Sequence, residues 1–387
     1  MKKLLTVSVL MIISFAMSLS ANAAKKTPCQ QLLERMAKIQ KKGYMYGHQD
    51  DPFYGITWEY EDGRSDTKDL VGDYPAVMGF ELGGIEMGDE KNLDSVPFNV
   101  MRKEIIDHYK RGGIITISWH PRNPMLGTTA WIESDLKAYK QAMEALATLR
   151  QDGLAKQVVN PANTVKSILP GGSKNAYFMT WLEKLTSFFT SLKDDKGNQI
   201  PFIFRPYHEN TGSWFWWGKN LCSDKEYLDL WNMTQDYVNA VQVKGGTLKN
   251  YLVWSYSPSW IDPSARKRYP GDDRIDLIGT DVYMWGTEAD FLRQLDAELT
   301  HITQLGKEKG KVIAITECGY QNSPDPTWWQ RVFKPTIEKY QFTYFLTWRN
   351  YVKEHFGASP DASTADDFKQ WAKQKNFLFL NDIKKIK

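Results

Sequence analysis

Residues 205–218 read RPYHENTGSWFWWG: a histidine and a glutamate, His208 and Glu209, followed within a few residues by four large aromatic side chains. A second glutamate, Glu317, stands in the segment ITECGY at 315–320. A glutamate can give or take a proton, or attack as a nucleophile, and two of them held opposite one another can do both. Indole and phenol rings offer a flat apolar face with a polar rim, which matches the C–H face and polar edge of a sugar ring. The combination suggests cleavage between sugars. One carboxylic acid protonates the leaving oxygen while the other carboxylate attacks or activates water, and a retaining mechanism holds the two about 5–5.5 Å apart. The acid must keep its proton near neutral pH. Burial among Trp214, Trp216 and Trp217, close to another carboxylate, is expected to raise its pKa. Its partner must stay ionised, and Arg205, Arg349 or the Tyr283 hydroxyl could hold it so.

Glutamates this far apart in sequence need a scaffold that brings them together. Eight short β-like runs, at 44–49, 76–82, 114–120, 202–209, 251–257, 277–283, 312–317 and 342–348, alternate with longer stretches. Helical periodicity marks 133–149, 177–192, 224–241, 288–305 and 327–340. An opening helix carries Leu32, Met36 and Ile39 at helical spacing, with Gly43 to stop it. Ser223 and Glu226 form a capping box for the helix that follows them. Eight β–α alternations predict a single-domain α/β fold, the (β/α)8 or TIM barrel, with its active site at the C-terminal ends of the strands. The connections after the first and third strands are expected to be the longest. In the third strand Ile115, Ile117 and Trp119 face outward, and Thr116, Ser118 and His120 face inward. The fourth is expected to repeat this, with Arg205, Tyr207 and Glu209 on one face.

The strand ends then supply His48, Glu81, His120, His208 with Glu209, Asp281 with Tyr283, Glu317, and Trp348 with Arg349. One such residue often only satisfies loop amides. A set converging on one bowl, with glutamates ending the fourth and seventh strands, is harder to read that way.

Composition narrows the partners. The 387 residues carry a net charge of +3 and no basic run with interleaved aromatics, so neither nucleic acid nor an anionic membrane is implied. No HxH, HExxH or EF-hand spacing occurs, so no metal and no other cofactor is expected. Cys29, Cys222 and Cys318 fit free thiols or one incidental bridge. Met1-Lys2-Lys3, an apolar run over 4–19 and Ala21-Asn22-Ala23 read as a signal peptide of residues 1–23, ahead of a catalytic barrel at 24–387. The apolar run is short for a membrane span, so an exported protein, periplasmic or secreted and without a membrane anchor, is expected. A sugar-binding module is the competing class; it needs neither facing glutamates nor eight β–α units.

RPYHENTGSWFWWG resembles the acid/base segment of glycoside hydrolase family 26, whose best-known members are β-mannanases. ITECGY resembles its nucleophile strand. SWHPRNP (118–124), DVYMWG (281–286) and TWRN (347–350) are similar to its third, sixth and eighth strand segments. The resemblance runs through all eight strands. It implies Glu209 as acid/base and Glu317 as nucleophile, with retention of configuration. It implies that His120, His208, Trp214, Tyr283, Trp348 and Arg349 line the subsites nearest the cleaved bond. The implied substrate is β-1,4-linked mannan, glucomannan or galactomannan; endo or mixed action by a monomer is expected. Family members acting on β-1,3-xylan or mixed-linkage glucan keep those substrates open. Loops 50–74 and 83–97 are long enough to wall off a distal subsite, in which case mannobiose would leave from chain ends.

Overall fold

The computed structural model describes residues 26–386, so the signal-peptide segment lies outside the described residues. Eight parallel strands close into a barrel: β1 Tyr44–Gln49, β2 Val77–Glu81, β3 Ile114–Trp119, β4 Phe202–Pro206, β5 Leu252–Tyr256, β6 Leu277–Tyr283, β7 Val312–Gly319 and β8 Tyr344–Thr347. Closure is made by β8 against β1, from Met45 opposite Tyr344 to His48 opposite Thr347. A two-residue strand, Phe377–Leu378, adds to β1. All eight runs read from the sequence are present, and the ends differ most at β4.

Helices cover the outside: α1 Pro28–Gln40, α2 Phe98–Arg111, α3 Glu133–Thr148, α4 Asn175–Ser191, α5 Asp224–Ala240 and α6 Glu288–Lys309. Capping explains two of the starts. Thr27 with Gln30 caps α1, and Ser223 with Glu226 forms the expected box ahead of α5. The helix expected over 327–340 is instead a π-helical turn, Trp329–Phe333, running into Lys334–Ile337. Pro335 has no N–H to give to a regular ladder there. Helix α3 forms where its periodicity predicts but buries none of its residues.

The core has two layers. Inside the barrel Met45, Val77, Ile203, Val253, Leu277, Ala314 and Leu346 pack together, and Leu32, Met36 and Ile39 of α1 close the N-terminal mouth beneath them. Outside, Ile115, Ile117, Trp119 and Phe204 meet Phe178, Trp181 and Leu185 of α4. This filled lower half leaves the upper half for polar groups. The connection after β3 is the longest, as expected, but the next is the one after β4 rather than after β1. It carries both the aromatic segment and α5. All three cysteines are free thiols. Among the described residues no helix is long and apolar enough to cross a membrane.

Candidate active site

Pro206 ends β4 because it cannot donate to the ladder; its pairing with Trp119 is the last in register. The chain then takes two steps into the left-handed region, Tyr207 at φ 48° and Glu209 at φ 51°. Side-chain-bearing residues rarely sit there, and each such step costs about 1–3 kcal/mol. The first step breaks the strand alternation. Tyr207 turns outward, its ring 6.0 Å from that of Trp119 and its hydroxyl 2.9 Å from Thr234 on α5. Arg205, Tyr207 and Glu209 therefore do not share the expected face. The second step re-aims Glu209 into the bowl, with its N–H held by the Ser257 carbonyl at 3.0 Å.

Strand β7 reaches the same bowl through a bulge. Thr280 pairs with Ile315 and Asp281 with Glu317, which leaves Thr316 as the extra residue. Its hydroxyl donates to Asp281 at 2.7 Å. The bulge sets Glu317 beside Asp281, and Arg205 reaches both. One guanidinium N–H donates to Asp281 at 3.0 Å and another to Glu317 Oε1. The Tyr283 hydroxyl donates to Glu317 Oε2 at 2.7 Å. Both oxygens of Glu317 thus act as acceptors, the role of a carboxylate. Of the three groups expected to hold it, Arg205 and Tyr283 do so.

Arg349 does not. Its ion pairs are with Asp94 at 3.1 Å and Glu354 at 2.8 Å. It lies beside the rings of Tyr54 and Tyr351, in a cavity of about 380 Å³ that Tyr60 and Lys91 also line. Lying one residue beyond Trp348, it faces the loops after β1 and β2 instead of Glu317.

Glu209 accepts one strong hydrogen bond, from the Trp214 indole at 2.7 Å. Burial, then the charges of Glu317 and Asp281, push its pKa up to about 8, while Trp214 and His120 work in the other direction. Trp216 and Trp217 are fully buried and fasten the loop, donating to the carbonyls of Pro121 and His208 at 2.9 and 2.8 Å.

Two histidines complete the centre, edge to face at 4.4 Å. His120 Nδ1 lies 2.8 Å from Glu81, whose other oxygen accepts the His120 backbone N–H at 2.7 Å. Burial alone would lower the His120 pKa; the Glu81 carboxylate outweighs it and raises it. That partner leaves Nε2 free to face the bowl. His208 is driven well below the usual histidine range by burial and by the charges of Arg205 and His120. Its two ring nitrogens are buried without a hydrogen-bond partner among the described residues, and Nε2 stands 3.7 Å from Glu317. Buried polar atoms of this kind call for a partner, and a substrate hydroxyl would be one. Trp348 is half-buried, edge-on to His120 at 6.2 Å. His48 instead ties the loops, with Nδ1 2.7 Å from Asp51 and Nε2 directly under Gly357.

Ligand atoms of His208, Asp281 and Glu317 lie within 4.8 Å of one another and could hold a cation. The Arg205 guanidinium already bridges the two carboxylates, so the protein itself supplies the positive charge. A further ring is Trp131, which stacks on His120 at 5.2 Å, nearly parallel at 7°. No spacing marks it, because it arrives on the long β3 connection through a bridge to Phe215.

An eight-stranded parallel barrel with two glutamates meeting above its fourth and seventh strands has the architecture of the glycosidase class. The chain belongs to glycosyl hydrolase family 26, whose sequence model matches residues 19–359. Its fold is similar to a β-mannanase of that family from Bacteroides ovatus, with 38% identity, 94% of this chain and 98% of that one covered, and a TM-score of 0.81. An endo-β-1,4-mannanase from Cellulomonas fimi aligns at 29% identity over 92% of this chain and 76% of that one, with a TM-score of 0.76. In sequence, a mannan endo-1,4-beta-mannosidase from Bifidobacterium adolescentis is 26% identical over 93% of this chain, which spans 35% of that enzyme's length. One from Bacillus subtilis is 25% identical over 73% of this chain and 68% of its own length.

Proposed function

We propose that the protein is a retaining β-mannanase that hydrolyses β-1,4-mannosidic bonds in mannan, glucomannan or galactomannan, with endo or mixed action. One observation carries the reading: Glu209, its pKa pushed up to about 8, shares the bowl with Glu317, whose two oxygens accept from Arg205 and Tyr283. In the first step Glu209 gives its proton to the glycosidic oxygen as the C1–O bond breaks, and Glu317 forms a bond to C1 from the opposite face. In the second, Glu209 takes a proton from water, the water oxygen bonds to C1, and the bond to Glu317 breaks. Two inversions leave the β configuration. His120, His208, Trp214, Tyr283 and Trp348 border the reacting ring, and Arg349, one residue beyond Trp348 and in a cavity of its own, serves a ring further along the chain. The choice of mannan is supported by the mannanases that the chain resembles. Export directed by residues 1–23 and a monomeric catalytic barrel from residue 24 belong to the same proposal.

The test is product analysis of the mature protein on mannohexaose, galactomannan, β-1,3-xylan and mixed-linkage glucan. Cleavage of mannans alone, abolished in Glu209→Ala and Glu317→Ala, supports the reading. Cleavage of another glycan overturns the substrate, and binding without cleavage overturns the chemistry.

A further inference from the structure

Of the fifteen tryptophans, three are exposed: Trp131 at 41%, Trp214 at 40% and Trp285 at 67%. All three attach to the carboxylate centre. Trp214 donates to Glu209, and Trp131 stacks on His120. Trp285 stands on the other side. Its ring stacks on that of Tyr283, at 5.5 Å and 29°, and the Tyr283 hydroxyl donates to Glu317. Phe356 lies edge-on to both rings, at 5.6 and 6.0 Å. It is buried hard against Gly319, where a Cβ would come within 2.8 Å of it, so the base of this aromatic stack is fixed.

The backbone turns Trp285 toward solvent. Its neighbour Met284 goes inward, with its sulfur 3.2 Å from the Trp328 indole nitrogen. Beyond, a Cβ on Gly286 would meet nothing within 4 Å, so the rim is open. Apolar surface left in water forgoes about 25 cal/mol per Å²; a lone exposed apolar side chain is ordinary, but an exposed aromatic face continuous with a site, as Trp285 is through Tyr283, is a candidate binding surface. Tyr283 occupies the place beside Glu317, which puts the open face of Trp285 one ring further out.

We propose that this face binds a further sugar ring of the substrate chain, a pyranose presenting its C–H face, outside the ring held at the carboxylates. The inference rests on the mannanase reading and adds a binding residue to it. The side chain is exposed and makes no hydrogen bond among the described residues, so Trp285→Ala and Trp285→Phe should fold, with melting temperatures within a few degrees of the wild type. With mannohexaose, Trp285→Ala is expected to raise KM about tenfold and leave kcat within about twofold, the size of one lost aromatic contact. Trp285→Phe should recover most of that affinity. An unchanged KM overturns the proposal. So does a fall in kcat that matches Tyr283→Phe, since the indole would then only shield the tyrosine. Wild-type protein inert on mannohexaose overturns the activity reading and this one with it; an active wild type with an indifferent Trp285→Ala overturns this one alone.

Discussion

Tyr283 on β6 donates its hydroxyl to Oε2 of Glu317 on β7, at 2.7 Å. The bond joins the two strands that the bulge at Thr316 brings together. Tyr283→Phe keeps the ring and removes the donor. A hydrogen bond to a charged group that also serves the transition state supports a fall in kcat of about 10–100-fold. Steady-state kinetics on mannohexaose checks this, with KM expected to change little.

Trp214 is expected to set the basic side of the pH profile. In its proposed role as proton donor Glu209 must be protonated, so kcat/KM is expected to fall as pH rises through about 8. The Trp214 indole favours the ionised form of Glu209. Trp214→Phe removes that donor and should move the basic limb to higher pH. A kcat/KM profile of both proteins decides; a limb that stays put or moves down would contradict the role.

The same carboxyl sets a stability trend. Glu209 titrates higher in the folded state, about 8 against an ordinary 4.5. Between those values the folded state holds more protons than the unfolded one, so stability falls as pH rises. The contribution is complete below the lower value and lost above the upper. Glu209→Gln has no charge to bury. Its melting temperature is expected to exceed that of the wild type by a few degrees at alkaline pH, with the gap closing toward acid pH. Calorimetry across that range measures it.

Far from the bowl, Ser223 caps α5 with Glu226. Ser223→Ala should lower stability by about 1 kcal/mol and leave kcat unchanged, as denaturant titration beside an activity assay would show.

The strands and the two glutamates were legible because each rests on a short local pattern: β-like runs with period two, and carboxylates placed at their ends. Ser223 with Glu226 was legible for the same reason. Tyr207 was misread because alternation assumes extended backbone, and nothing in the residue types announces two left-handed steps at 207 and 209. Arg349 lies away from Glu317 because its partners, Asp94 and Glu354, come from loops whose paths the strand pattern does not set. Trp131 reaches His120 on the longest connection, and Glu81 supports His120 from the neighbouring strand; both are tertiary facts. Arg205 and Tyr283 were named as holders of Glu317, and the bulge that lets both reach it appears only in the sheet register.

The most direct measurement is the configuration of the first product. Proton NMR of mannohexaose during the opening minutes of hydrolysis distinguishes the anomers before mutarotation blurs them. With Glu317 attacking C1 and Glu209 acting in turn as acid and base, the β-anomer appears first and the α-anomer follows slowly. An α-anomer that appears first would mean direct attack by water, and would contradict the covalent role assigned to Glu317.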